Sequence, residues 1–203
     1  MIKTPNFDII SLISNTVFAV YHLVFGLFSS SWWLLTLGSY YLILSLVRFI
    51  VIRLKSEENF ITKFTGWMLM ILSIPLIGTV ILSVVQDRGH KFHMILMIAM
   101  AAYSFTRITL AIIKFVKARK SNNALLITTR NISLADAFAS IFALQRSMLV
   151  SFEGMNETEI IIMNASLGSA VCIVCFLLGL ILLTKANKRN TDNEEHKAST
   201  ESI

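Results

Sequence analysis

Charge is the first thing this chain lacks. Only 15% of its 203 residues are Asp, Glu, Lys or Arg, while 55% are hydrophobic. An ordinary soluble domain carries about 25% charged residues, and the mean hydropathy of +0.70 points the same way. Alternating polar–apolar segments of barrel-strand length are also missing, which excludes a membrane β-barrel. The two cysteines, Cys172 and Cys175, sit inside one apolar run. They build no disulfide framework, and a thiol pair in mid-helix lacks the partly exposed setting of a redox site. There is no phosphate loop, dinucleotide fingerprint or His-Glu-x-x-His sequence. No nucleophile–base pair is apparent either, so we expect no enzyme and no cofactor.

What is present is a series of apolar runs, each near the roughly 20 helical residues needed to cross about 30 Å of hydrocarbon. Six spans emerge, over residues 9–28, 32–52, 64–85, 92–115, 132–152 and 160–184. The expected fold class is therefore all-α, a polytopic bundle of six transmembrane helices over residues 1–184. Residues 185–203 are polar and are expected to form a disordered cytoplasmic tail, because they cannot bury enough apolar surface to fold. Only Ser29, Ser30 and Ser31 separate the first two spans, which must form an antiparallel hairpin. The first run has no small-residue cleavage site and reads as a retained span, not a signal peptide.

Orientation follows from the basic residues. With the N-terminus inside, the cytoplasmic segments hold Lys3, then Arg53, Lys55 and Lys63, then Lys114, Lys117, Arg119, Lys120 and Arg130, then Lys185, Lys188, Arg189 and Lys197. The opposite face holds Arg88 and Lys91 alone. Both termini are thus expected in the cytoplasm. The net charge of +6 lies at the flanks of the apolar runs, where it faces anionic lipid and not nucleic acid. The composition suits the cytoplasmic (plasma) membrane of a bacterium.

A faint internal repeat runs through the spans. Ser45-Leu46-Val47-Arg48 resembles Ser104-Phe105-Thr106-Arg107, with Lys55 and Lys114 in register. Phe18-Ala19-Val20-Tyr21-His22 resembles Phe142-Ala143-Leu144-Gln145-Arg146. The offsets fit a period of about 60 residues, as three repeated hairpins would give.

Ionisable side chains inside a span are costly, by at least about 2.5 kcal/mol at the centre, and each needs a reason. Asp136 lies one turn into the fifth span, at the depth of Arg107 and Arg48 on helices running the other way. Pairing with Arg107 is the expectation. With Arg48 and Asn15 close by, the pair serves either as a packing salt bridge or as part of a charged cavity on a substrate or ion pathway. Polar stripes at helical spacing add Ser11, Asn15 and His22 in span one, and Ser133, Ser140 and Ser147 beside Asp136. Arg48 and Arg146 stand near span ends, and their stems allow both to snorkel towards headgroups. His22, Gln145 and Arg146 form an outer polar set. Asp87, His90 and His93 are a weak metal candidate, since Gly89 argues against a continuous helix there.

Three function classes remain. The first is a non-catalytic membrane partner or regulatory subunit, associating with another membrane protein or with copies of itself. The second is a small-solute or ion transporter using the Asp136–Arg107 region, and the third an intramembrane enzyme.

Overall fold

A computed structural model of the chain describes residues 5–53, 58–85, 94–119, 124–151 and 156–201. They form six helices: α1 (Pro5–Phe28), α2 (Trp32–Arg53), α3 (Glu58–Val85), α4 (Met94–Arg119), α5 (Ala124–Ser151) and α6 (Glu157–Glu201). No strand occurs among the described residues. Among the described residues, four helices are long and apolar enough to cross a membrane, over Ile9–Phe28, Trp32–Arg53, Glu58–Val85 and Glu157–Arg189. The other two expected spans, α4 and α5, are not in that set.

The α1–α2 turn shows how little chain a hairpin of helices needs. Ser31 N–H donates to the Gly26 carbonyl at 3.0 Å and Ser30 N–H to that of Leu27 at 3.3 Å. These two bonds close α1 in a Schellman motif, with Ser30 in the left-handed region at φ 50°. At the start of α6, Glu159 accepts a bond from the Asn156 N–H at 3.3 Å. Glu157 and Glu159 also place negative charge on the positive end of the helix.

α5 is the middle of the molecule. It packs against α2, α3, α4 and α6, while α1 lies on α2 and α3 lies along α6. Enclosure explains its composition. Ala135, Ala139 and Ala143 are buried and let neighbouring helices come close, and its polar residues meet protein on every side. Such a helix has little need of lipid-compatible side chains, so it reads as less apolar than the helices around it. α3 and α6 come close together at Gly66 and Gly179. A Cβ on either glycine would stand 3.0 or 2.9 Å from the other's carbonyl oxygen.

α1 shows the opposite arrangement. Ile10, Ile13, Val17, Val20, Val24 and Leu27 form an exposed ridge, spaced by threes and fours. Ser11, Asn15 and His22 are buried on the other side. Polar inward and apolar outward is the reverse of a soluble helix, and it is consistent with a membrane protein in a lipid bilayer.

Three helices depart from the expected bounds by more than four residues. α3 begins six residues before its apolar run and α5 eight residues before. Thr62 and Thr128, within those extensions, are buried and face each other at 3.4 Å. The third departure lies in the tail. The tail expected to be disordered is helical to Glu201, as a continuation of α6. Extending an existing helix avoids the cost of nucleating one, so a polar sequence can follow a span in helical form. Ala186 is buried, and Arg189 lies 3.8 Å from Glu58 at the start of α3. That ion pair is exposed and contributes little.

Candidate functional site

Four helices meet at one carboxylate. Asp136 on α5 places Oδ2 3.0 Å from Arg107 Nη1 of α4 and 3.2 Å from Arg48 Nη2 of α2. α1 supplies Ser11. Its hydroxyl accepts from Arg107 Nη1 at 2.6 Å and also from Arg48 Nη1, and its carbonyl accepts from Arg107 Nη2 at 3.2 Å. All four residues are buried, with Arg48 and Asp136 at 1% exposure. Charges at that burial are tolerated only when paired and hydrogen-bonded.

Arg48 requires a correction. Its expected snorkelling does not occur, because its guanidinium turns into the protein to reach Asp136 and Ser11. An electrostatic partner within reach outweighs hydration at the end of a stretched stem. The same holds for Arg146, which is 4% exposed and donates to the Ser83 carbonyl of α3 at 2.7 Å. The guanidinium carbon of Arg146 sits 4.9 Å from the ring centre of Trp33, a cation–π contact.

Aromatic rings cover one side of the charged cluster. The Tyr103 ring lies 4.9 Å from the Arg107 guanidinium and stacks on Phe18 with centroids 3.7 Å apart. Its hydroxyl donates to Asn15 Oδ1 at 3.0 Å. Tyr41 meets Phe18 edge-on at 5.3 Å, and its hydroxyl pairs with Ser140 at 3.2 Å. Ser140 in turn donates to the Asp136 carbonyl at 2.8 Å, and Ser104 to the Ser140 carbonyl at 3.0 Å. Tyr40 donates to the Ala135 carbonyl at 3.2 Å. These bonds fix the α5 backbone around Asp136. α1 and α4 join here through long side chains, whereas their backbones make few close approaches.

Some polar atoms in this region have no hydrogen-bond partner. They include Asp136 Oδ1, Arg107 Nε, Asn15 Nδ2 and Ser133 Oγ. The carboxylate is therefore gripped through one oxygen only.

The outer polar set does not form one site. His22 Nδ1 pairs with the Phe18 carbonyl at 2.8 Å, and its ring lies among Phe18, Tyr21 and Tyr41. Gln145 donates to the Met163 carbonyl of α6 at 3.0 Å, away from the α3 and α2 contacts of Arg146. Asp87, His90 and His93 lie outside the described residues. Among the described residues no cluster of three or more His, Cys, Asp or Glu could hold a metal ion. Cys172 and Cys175 are free and buried. A groove of about 290 Å³ lies between α1 and α2, lined by Leu12, Thr16, Ala19, Leu42, Ser45, Leu46 and Phe49. It is apolar and separate from the charged cluster.

The sequence missed the aromatic cover. Its one available signal was the four-residue spacing of Tyr103 and Arg107, which puts ring and guanidinium on one helix face. No protein-family model matches the chain, and comparison with curated proteins finds no match.

Proposed function

We propose that the chain is a six-span, non-catalytic membrane protein with both ends in the cytoplasm, acting as a partner or regulatory subunit in the cytoplasmic membrane. In this reading α4 and α5 are spans too. α5 crosses inside a sleeve of the other helices, and its charges are answered by α2, α4 and α1. The 13 basic residues counted on one face of the six-span layout, against two on the other, support the orientation.

One observation carries the functional part. Asp136, Arg48, Arg107 and Ser11 bind one another across four helices under the Phe18–Tyr103 stack. That is the arrangement of a lock that fixes helix positions. The outward faces of the bundle and the far part of α6 are then the surfaces that engage a partner. Native mass spectrometry of a mild-detergent extract tests this. A second membrane protein in fixed stoichiometry is the expected result, and a chain that always appears by itself overturns the reading.

Transport is the second reading, favoured by Asp136 Oδ1, which has no hydrogen-bond partner. Under it, Asp136→Asn inserts and folds yet loses flux in reconstituted vesicles. If Asp136→Asn and Arg107→Gln each unfold the bundle, the lock stands and the carrier does not.

A further inference from the structure

The α1–α2 hairpin is packed tightly at its turn. A Cβ on Gly38 would stand 2.8 Å from the Leu23 side chain, and one on Gly26 3.1 Å from that of Leu34. Beyond those contacts the groove of about 290 Å³ opens. It runs along α2 from Leu42 to Phe49 and along α1 from Ala19 to Leu12, and both Leu42 and Ala19 stand at the middle of their apolar spans. The seven-residue advance on each helix, at about 1.5 Å per residue, makes the groove about 10 Å long. Ala19 and Ser45, small and buried, form its floor, while Leu42, Leu46 and Phe49 are exposed along its rim. Thr16 donates to the Leu12 carbonyl at 3.0 Å, and its oxygen lies 2.7 Å from that of Ser45. Both hydroxyls are thus engaged with protein, and the groove offers an occupant only apolar surface. One turn past Phe49 comes Arg53, whose guanidinium carbon lies 6.0 Å from the centre of the Phe49 ring.

We propose that this groove holds one acyl chain of an anionic phospholipid whose phosphate rests on Arg53. Depth and charge carry the assignment. From Arg53 to Leu42 is about 16 Å of helix, and one leaflet supplies about 15 Å of hydrocarbon, half of the roughly 30 Å core. The groove therefore ends where a single leaflet ends. A helix from another chain would seek contact along the whole crossing, and the packing of Gly26 and Gly38 closes the other half of this seam. Two copies paired about a two-fold axis on this face would also set Arg53 opposite Arg53 at one depth, a like-charge contact. An anionic headgroup brings the opposite charge to that level.

The inference rests on α1 and α2 crossing the bilayer and holds for a subunit or a carrier alike. The test is native mass spectrometry of the full chain in mild detergent, supplied with equal amounts of phosphatidylglycerol and phosphatidylcholine bearing the same acyl chains. One phosphatidylglycerol per chain is expected to stay bound, preferred about fivefold, the worth of one arginine beside an anionic surface. Arg53→Gln removes the preference. Leu46→Trp and Leu42→Trp add bulk at exposed rim positions, where packing does not depend on them, and each lowers retention of both lipids. Val24→Trp, on the α1 ridge outside the groove, changes neither quantity. Equal retention of the two lipids, a preference that survives Arg53→Gln, or retention that both rim variants leave intact overturns the proposal. Lipid-free dimers that the rim variants disperse overturn it too, in favour of a second copy. A chain that dissolves without detergent overturns the spans as well, and so is told apart from these failures.

Discussion

α1 and α5 solve the same physical problem in opposite ways. α1 lies at the edge of the molecule and turns an apolar ridge outward, so its polar residues need only one protected face. α5 is surrounded by α2, α3, α4 and α6, and polar side chains are buried around most of its circumference. Hydropathy therefore measures how much of a helix faces lipid, not whether the helix lies within the bundle.

The comparison can be broken most decisively at Asp136. Replacing it with Leu leaves two buried guanidinium groups without their shared carboxylate. Breaking a buried pair in this way costs about 3–5 kcal/mol. Denaturant unfolding in detergent should show that loss, while Ile13→Leu on the α1 ridge should change nothing measurable. Equal effects would mean that α5 is not enclosed as described. Added bulk sharpens the contrast at the next scale. Ala139→Leu on α5, at a position with 0% exposure, should lower stability by about 1–3 kcal/mol through overpacking. Val20→Leu on α1, at 50% exposure, should be neutral in the same assay. The smallest effect has the opposite sign. Ser30→Gly should raise stability by up to about 1 kcal/mol, since glycine adopts the left-handed conformation at the end of α1 without the steric penalty. A thermal melt with no upward shift would show that the serine is not strained there.

Much of the helix pattern was legible from apolar runs, and the reasons for the exceptions are local. The run lengths in α1 and α2 coincide with the helices to within a few residues, because their ends are set by a three-serine turn. The starts of α3 and α5 were not legible. α3 opens with Glu58 and Asn59, and in α5 the polar stretch Thr128 to Asn131 parts a short apolar first turn from the long run; Thr62 and Thr128 are buried facing each other. Asp136 and Arg107 stood out by cost and depth. Arg48 stood out as well, yet a stem long enough to snorkel is also long enough to turn inward. Sequence gives the reach of a side chain but not the face its helix presents. Which rings would lie over the guanidinium groups depended on helix rotation, and Tyr103 was not singled out.

The length of α6 has a mechanical consequence. At about 1.5 Å per residue, its 45 residues make a rod about 67 Å long, more than twice the roughly 30 Å that hydrocarbon requires. The notch where Gly66 and Gly179 interlock fixes the bearing of that rod. A load hung on its distant end would pull on the α3–α6 crossing as a lever pulls on its fulcrum.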